Sequence, residues 1–132
     1  MSRRTTLAAA ATLLAAALAA PAALAAEKDG DYPNRSIRLI VPFPPGGGTD
    51  TVSRAIQPAL QQRLGQQMVI DNRGSAQGIT GTTIAANAAP DGYTLVIAEI
   101  RATAVAPALT PNVTFHVVQD FAPITQLIEQ PY

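Results

Sequence analysis

Residues 37–50 read Ile37-Arg38-Leu39-Ile40-Val41-Pro42-Phe43-Pro44-Pro45-Gly46-Gly47-Gly48-Thr49-Asp50. The first five are β-rich and mostly apolar, as a buried strand requires. The Pro/Gly run over residues 42–48 continues neither a strand nor a helix, so it reads as a loop. Thr49 or Asp50 then starts a helix that runs to Leu64. Its apolar positions Val52, Ile56, Leu60 and Leu64 fall on one helix face, and Gly65 is a C-terminal stop. Pro58 lies inside it and predicts a kink, because it removes a backbone bond and crowds Arg54.

The same order returns downstream. Met68-Val69-Ile70 reads as a second strand, residues 71–78 as a loop, and residues 79–88 as a small-residue helix ended by the Pro90-Asp91-Gly92 turn. Residues 93–98 form a third strand. A short helix is expected over residues 103–109, and an extended stretch over 121–128. Strands separated by helices pair in parallel through right-handed crossovers. The fold class is α/β, an open parallel βαβαβ sheet.

Composition narrows the chemistry. The chain has 132 residues, 9 basic and 9 acidic, one histidine and no cysteine. Without cysteine there is no disulfide framework, thiolate zinc site or cysteine nucleophile. A lone histidine, His116, excludes any site that needs two imidazoles. Zero net charge leaves no basic footprint for nucleic acid.

That neutrality averages two unlike segments. Met1-Ser2-Arg3-Arg4 is a short positive region, followed by an alanine-rich apolar run, a break at Pro21 and an Ala23-Leu24-Ala25 cleavage pattern. Residues 1–25 therefore read as a secretory signal peptide. The apolar run is shorter than the ~18 residues of a comfortable membrane span. An uncleaved anchor is the competing reading. Without Arg3 and Arg4, seven basic residues face nine acidic ones. The polar residues 26–36, with Gly30 and Pro33, predict a flexible lead-in. The expected mature protein lies outside the cytoplasmic membrane and is not embedded in it.

Two loops are candidates for ligand binding. In the first, Gly46, Gly47 and Gly48 let a ligand approach the backbone. The helix that follows offers unpaired N–H groups and a partial positive charge. Together they suit an anion. Such a loop lies at the carboxyl end of a strand, where open α/β sheets bind ligands. The competing reading is a plain glycine-rich turn with Thr49 as N-cap. The second loop, Gly74-Ser75-Ala76-Gln77-Gly78-Ile79-Thr80-Gly81-Thr82, repeats the geometry. Ser75, Thr80 and Thr82 add hydroxyl donors. Neither loop carries a nucleotide-binding glycine fingerprint. No nucleophile–base pair, metal-ligand spacing or cofactor motif appears, so neither catalysis nor a cofactor is expected.

Both loops, with Asp71-Asn72-Arg73, Pro90-Asp91-Gly92-Tyr93-Thr94-Leu95 and Asp120-Phe121-Ala122-Pro123, resemble the tripartite tricarboxylate transporter substrate-binding receptors, also called Bug proteins. The likeness begins near Tyr32-Pro33. It implies a type II periplasmic-binding-protein fold with two lobes that close on a small carboxylate. It also implies delivery to membrane transporter subunits or to a sensor protein. Residues 37–132 would then be part of the first lobe, ending where the chain crosses between lobes. By this resemblance Phe43, Pro45, Gly46, Gly47, Thr49 and Asp50 match the first ligand loop. Gly78, Gly81 and Thr82 match the second, and Gly48, Ser75 and Thr80 complete the candidate set. An independent one-lobed sensor or interaction module, and a non-functional truncated product, are the alternatives.

The chain departs from the family in two places. Relatives usually follow Asn-Arg with Pro-Gly-Ala-Gly-Gly, whereas Gly74-Ser75-Ala76-Gln77-Gly78 stands here. Gln77 thus brings a long side chain where glycine permits close approach. Glu99 falls at the carboxyl end of the third strand, on the ligand side. Two close carboxylates repel by about 1–4 kcal/mol, depending on the effective dielectric. Glu99 therefore shifts preference toward a ligand with an amino or amide group, unless Arg101 neutralises it or it faces solvent.

Overall fold

A computed structural model describes residues 32–129. The signal peptide expected over residues 1–25, and the start of the lead-in, lie outside the described residues. Strand β1 is Ile37–Val41 and helix α1 is Gly48–Leu64. Strand β2 is Met68–Asn72. A short 3-10 turn, Ala76–Gly78, leads into α2, Ile79–Ala86. Strand β3 is Thr94–Val96. A π-helical turn, Arg101–Val105, runs into α3, Ala106–Leu109.

The three strands form one parallel sheet in the order β2-β1-β3. Ile37 stands opposite Met68 and Val41 opposite Asn72, while Arg38 stands opposite Thr94 and Ile40 opposite Val96. The earliest strand is thus the central one. Central position explains its composition, since a strand covered on both faces reads as a continuous apolar run. Ile37, Leu39, Ile40 and Val41 are all buried. Ile37, Leu39 and Met68 form the core, with Leu60, Leu64, Ile70, Tyr93, Leu95 and Ile97 packed around them. Each fully buried aliphatic side chain contributes roughly 1.5–3 kcal/mol.

Helix α1 is tied to β2 by side chains as well as by packing. Gln57 donates to the Met68 carbonyl at 2.7 Å, and the Met68 N–H donates to Gln61 Oε1 at 2.9 Å. The helix runs as one element through Pro58 and ends at Gly65 in the left-handed conformation.

The structure corrects several expected boundaries. Helix α1 starts at Gly48 with Gly47 as its N-cap, so Thr49 is not the cap. Strand β2 continues through Asp71 and Asn72, which the sequence places in the loop. Arg38 Nε reaches Asp71 at 2.8 Å and Arg73 Nε reaches it at 2.8 Å, so the carboxylate is satisfied inside the sheet. Burial pushes the Asp71 carboxyl up, but these two cations outweigh it and hold it below the usual range. Strand β3 is shorter than expected, although the Ile97 N–H still donates to the Ile40 carbonyl at 3.0 Å. Residues 121–128 join no ladder among the described residues.

The described part of the lead-in, residues 32–35, makes side-chain contacts with the turn before β3. Tyr32 donates to the Gly92 carbonyl at 2.8 Å, and Tyr93 donates to Asn34 Oδ1 at 2.8 Å. Arg35 pairs with Asp91 at 2.8 Å and stacks over the Tyr93 ring at 4.1 Å. These contacts fasten residues 32–35 to the turn before β3.

Candidate functional site

Three parallel strands place their carboxyl ends along one edge of the sheet. Residues 42–47, 73–78 and 97–100 leave from that edge, which is where open α/β sheets take ligands.

The first of these loops presents bare backbone. Gly46 turns the chain at φ 84°. Gly47 caps α1 with no side-chain hydrogen bond. The first N–H groups of the helix therefore have no side-chain partner, and the helix dipole adds a partial positive charge there. Gly46, Gly47 and Gly48 are exposed. A Cβ placed on Gly46 or Gly48 meets nothing within 4 Å. Open space thus lies beside the Gly46 and Gly48 Cα atoms, while the Gly46 N–H is taken by Asp50.

Asp50 gives that loop its shape. It is only 2 % exposed. Its Oδ2 accepts the Gly46 N–H at 2.9 Å and Arg54 Nε at 2.9 Å. Its Oδ1 accepts the Asn72 side-chain amide at 3.0 Å, and the same amide donates to the Phe43 carbonyl at 3.2 Å. Arg54, the Gly46 N–H and Asn72, in that order, hold the Asp50 carboxyl well below the usual carboxylate range. Asp50 in turn raises the Arg54 guanidinium. The Asp50 carboxylate is engaged by protein donors, and it fixes Gly46 and the end of β2 relative to α1.

The second loop packs against the first. A Cβ on Gly81 would stand 2.7 Å from Pro42 Cα, and one on Gly78 would stand 3.1 Å from the Phe43 ring tip and 2.7 Å from Ala102 Cβ. These two glycines serve contact between loops. Ser75 Oγ accepts the Thr80 N–H at 3.1 Å. Thr82 is buried, and its hydroxyl donates to the Gly78 carbonyl at 2.9 Å, inside its own helix. Gln77 adopts φ 63°, ψ 11°, a left-handed conformation costly for a side chain of its kind.

The structure thus brings Phe43, Gly78 and Gly81 together, and it leaves Pro45, Gly46, Gly47, Gly48 and Thr80 exposed. Thr49 is half-buried, with its carbonyl accepting Ser53 Oγ at 2.7 Å. Asp50 and Thr82 point inward. In the third loop Glu99 Oε1 accepts Arg101 Nε at 2.8 Å, so of the dispositions open to Glu99 the ion pair is the one found. Sequence reasoning left Arg54 out of the site, named Asn72 only within the motif that carries the resemblance, and gave Arg101 only as an alternative partner of Glu99. The (i, i+4) spacing of Asp50 and Arg54 on a helix was the available signal for one of them. Among the described residues no group of three His, Cys, Asp or Glu is placed to hold a metal ion. No helix among them is long and apolar enough to cross a membrane. The arrangement offers hydrogen-bond donors to an anion.

Residues 52–132 match the model of the tripartite tricarboxylate transporter family receptor. The chain belongs to this receptor family. It is 42% identical over 112 residues to protein BugT of Bordetella pertussis, covering 83% of this chain and 34% of BugT. A solved structure of a periplasmic transporter shares 46% identity at a TM-score of 0.64, over 67% of this chain and 30% of that one. MatC from Rhodopseudomonas palustris, solved with bound malate, shares 38% identity at a TM-score of 0.69, over 73% of this chain and 33% of MatC. The chain spans about a third of the length of the curated relatives it matches.

Proposed function

We propose that this receptor-family chain binds a small carboxylate or similar organic anion in the periplasm and serves a tripartite tricarboxylate-type transporter, without catalysing a reaction. The observation that carries this reading is the open glycine run at the start of α1. There the glycines are exposed at the ligand edge of the sheet, and the helix start has no side-chain cap. A carboxylate placed there gains hydrogen bonds and the favourable end of a helix dipole. The malate bound by MatC, a 38% identical relative, supports a carboxylate ligand. Residues 1–25 would act as the export signal and be removed after Ala25. The membrane subunits of the transporter, or a sensor, would receive the ligand-loaded receptor.

Calorimetric titration of the chain with malate tests the reading. Saturable binding of malate, and none of its uncharged diamide, is the expected result. Equal binding of both, or of neither, overturns it.

A further inference from the structure

We propose that Arg101 is the side chain that grips a second carboxylate of the ligand, with Glu99 as its positioning residue. The proposal rests on the receptor reading above and adds a specificity-determining group to it. Main-chain amides at the start of α1 supply partial charges, enough for one carboxylate. A second carboxylate needs a full countercharge, and a guanidinium matches its planar geometry best.

Arg101 stands where the three ligand-edge loops meet. It lies two residues past Glu99, just beyond the third loop. Its guanidinium sits over the Phe43 ring of the first loop, 5.7 Å from the centroid. The Phe43 ring tip in turn lies against Gly78 of the second loop. The Arg101 side chain is 70% exposed. Its Nε donates to Glu99 Oε1 at 2.8 Å, and its terminal nitrogens make no hydrogen bond among the described residues. One edge of the fork is therefore anchored, and the other is open to a ligand.

Glu99 is itself held. Its carbonyl accepts the N–H groups of Ala102 and Thr103, both at 3.0 Å, and the Thr103 hydroxyl at 2.9 Å. Its second carboxylate oxygen, Oε2, is buried and has no hydrogen-bond partner among the described residues. The Glu99 side chain is 26% exposed, and the charge of its carboxylate is balanced by Arg101 beside it. The pair keeps Arg101 in one orientation and offsets the repulsion that Glu99 would exert on an anionic ligand.

The test compares malate with lactate, which has the same hydroxy acid end but no second carboxylate. Both are titrated calorimetrically into the chain and into Arg101→Gln, Arg101→Lys, Glu99→Gln and, as control, Arg63→Gln, an exposed cation in the last turn of α1. The wild-type chain binds malate more tightly than lactate. Arg101→Gln weakens malate by about tenfold or more, the usual effect of losing a charged hydrogen bond, and leaves lactate unchanged. Arg101→Lys keeps part of the malate preference. Glu99→Gln reduces it, and Arg63→Gln leaves both ligands alone. Malate affinity within about twofold of wild type in a folded Arg101→Gln chain overturns the inference, since a charged contact is worth more than that. So does equal weakening of malate and lactate. Should Arg101→Gln fail to give the wild-type circular dichroism spectrum, Arg101→Lys decides on the malate-to-lactate ratio. A wild-type chain that binds neither probe overturns the receptor reading itself, a result distinct from the loss of malate preference alone.

Discussion

The side-chain amide of Asn72 donates to the buried Asp50 carboxylate at 3.0 Å, joining the last residue of β2 to the first turn of α1. Because Asp50 also accepts the Gly46 N–H, this bond sets where the open glycine backbone stands relative to the sheet. Asn72→Leu leaves the carboxylate oxygen and the Phe43 carbonyl short of a donor. The expected result is a loss of about 1–3 kcal/mol in urea-denaturation stability, together with weaker malate binding. Asn72→Leu chains that match wild type in both would show that the loop is held by something else.

Acid should act through the same carboxylate. The Asp50 and Asp71 carboxyls both lie below their ordinary value in the folded chain. The unfolded chain therefore binds more protons in the acid range, and stability rises with pH there. The contribution of each group is complete above the unfolded value of about 4 and is lost as pH falls toward the depressed native one. Urea midpoints measured from neutrality into acid should decline below about pH 4. Asp50→Asn should be less stable at neutral pH and show a shallower acid decline.

The two loops answer glycine substitution differently. Gly81→Val pushes a side chain into Pro42, so it should cost about 1–3 kcal/mol as an overpacked contact. Gly48→Ala meets only open space and sits at the start of a helix, so it should stabilise the chain by about 0.4–1 kcal/mol. The added methyl group also crowds the exposed glycine run that the proposed ligand would approach, and malate affinity should fall. A calorimetric titration beside a urea curve separates the two effects.

Gln77 holds a left-handed conformation without being glycine. Gln77→Gly removes a steric cost of roughly 1–2 kcal/mol, partly offset by the greater freedom of glycine in the unfolded chain. The urea midpoint should rise slightly. A fall would mean that the Gln77 side chain makes a stabilising contact that outweighs its backbone strain.

Strand β1 was legible to the residue, because a central parallel strand is apolar without interruption from Ile37 to Val41 apart from Arg38. The end of α1 was equally plain in Leu64 and Gly65. The continuation of β2 was not, since Asp71 and Asn72 read as loop formers until their partners are known. Those partners are remote. Arg38 meets Asp71 across 33 positions, and Asn72 meets Phe43 across 29. The glycine-rich backbone of the candidate site could be read from spacing alone. The bonds that shape it could not, because Asn72 meets Asp50 and Phe43 only after the strands are ordered. The π-helical turn at Arg101–Val105 escaped for a related reason. Its period differs from the 3.6-residue pattern by which helices are recognised.

Strand order carries a consequence for how the chain is assembled in time. The middle strand, Ile37–Val41, leaves the ribosome before either neighbour. It has no lateral partner until Met68–Asn72 has been made, and its other flank waits for Thr94–Val96. Parallel pairing across such separations is intrinsically slow, and an unpaired apolar strand is sticky while it waits. A nascent chain of this kind is therefore most vulnerable between the synthesis of its first strand and its third, an interval in which a chaperone has the most to shield.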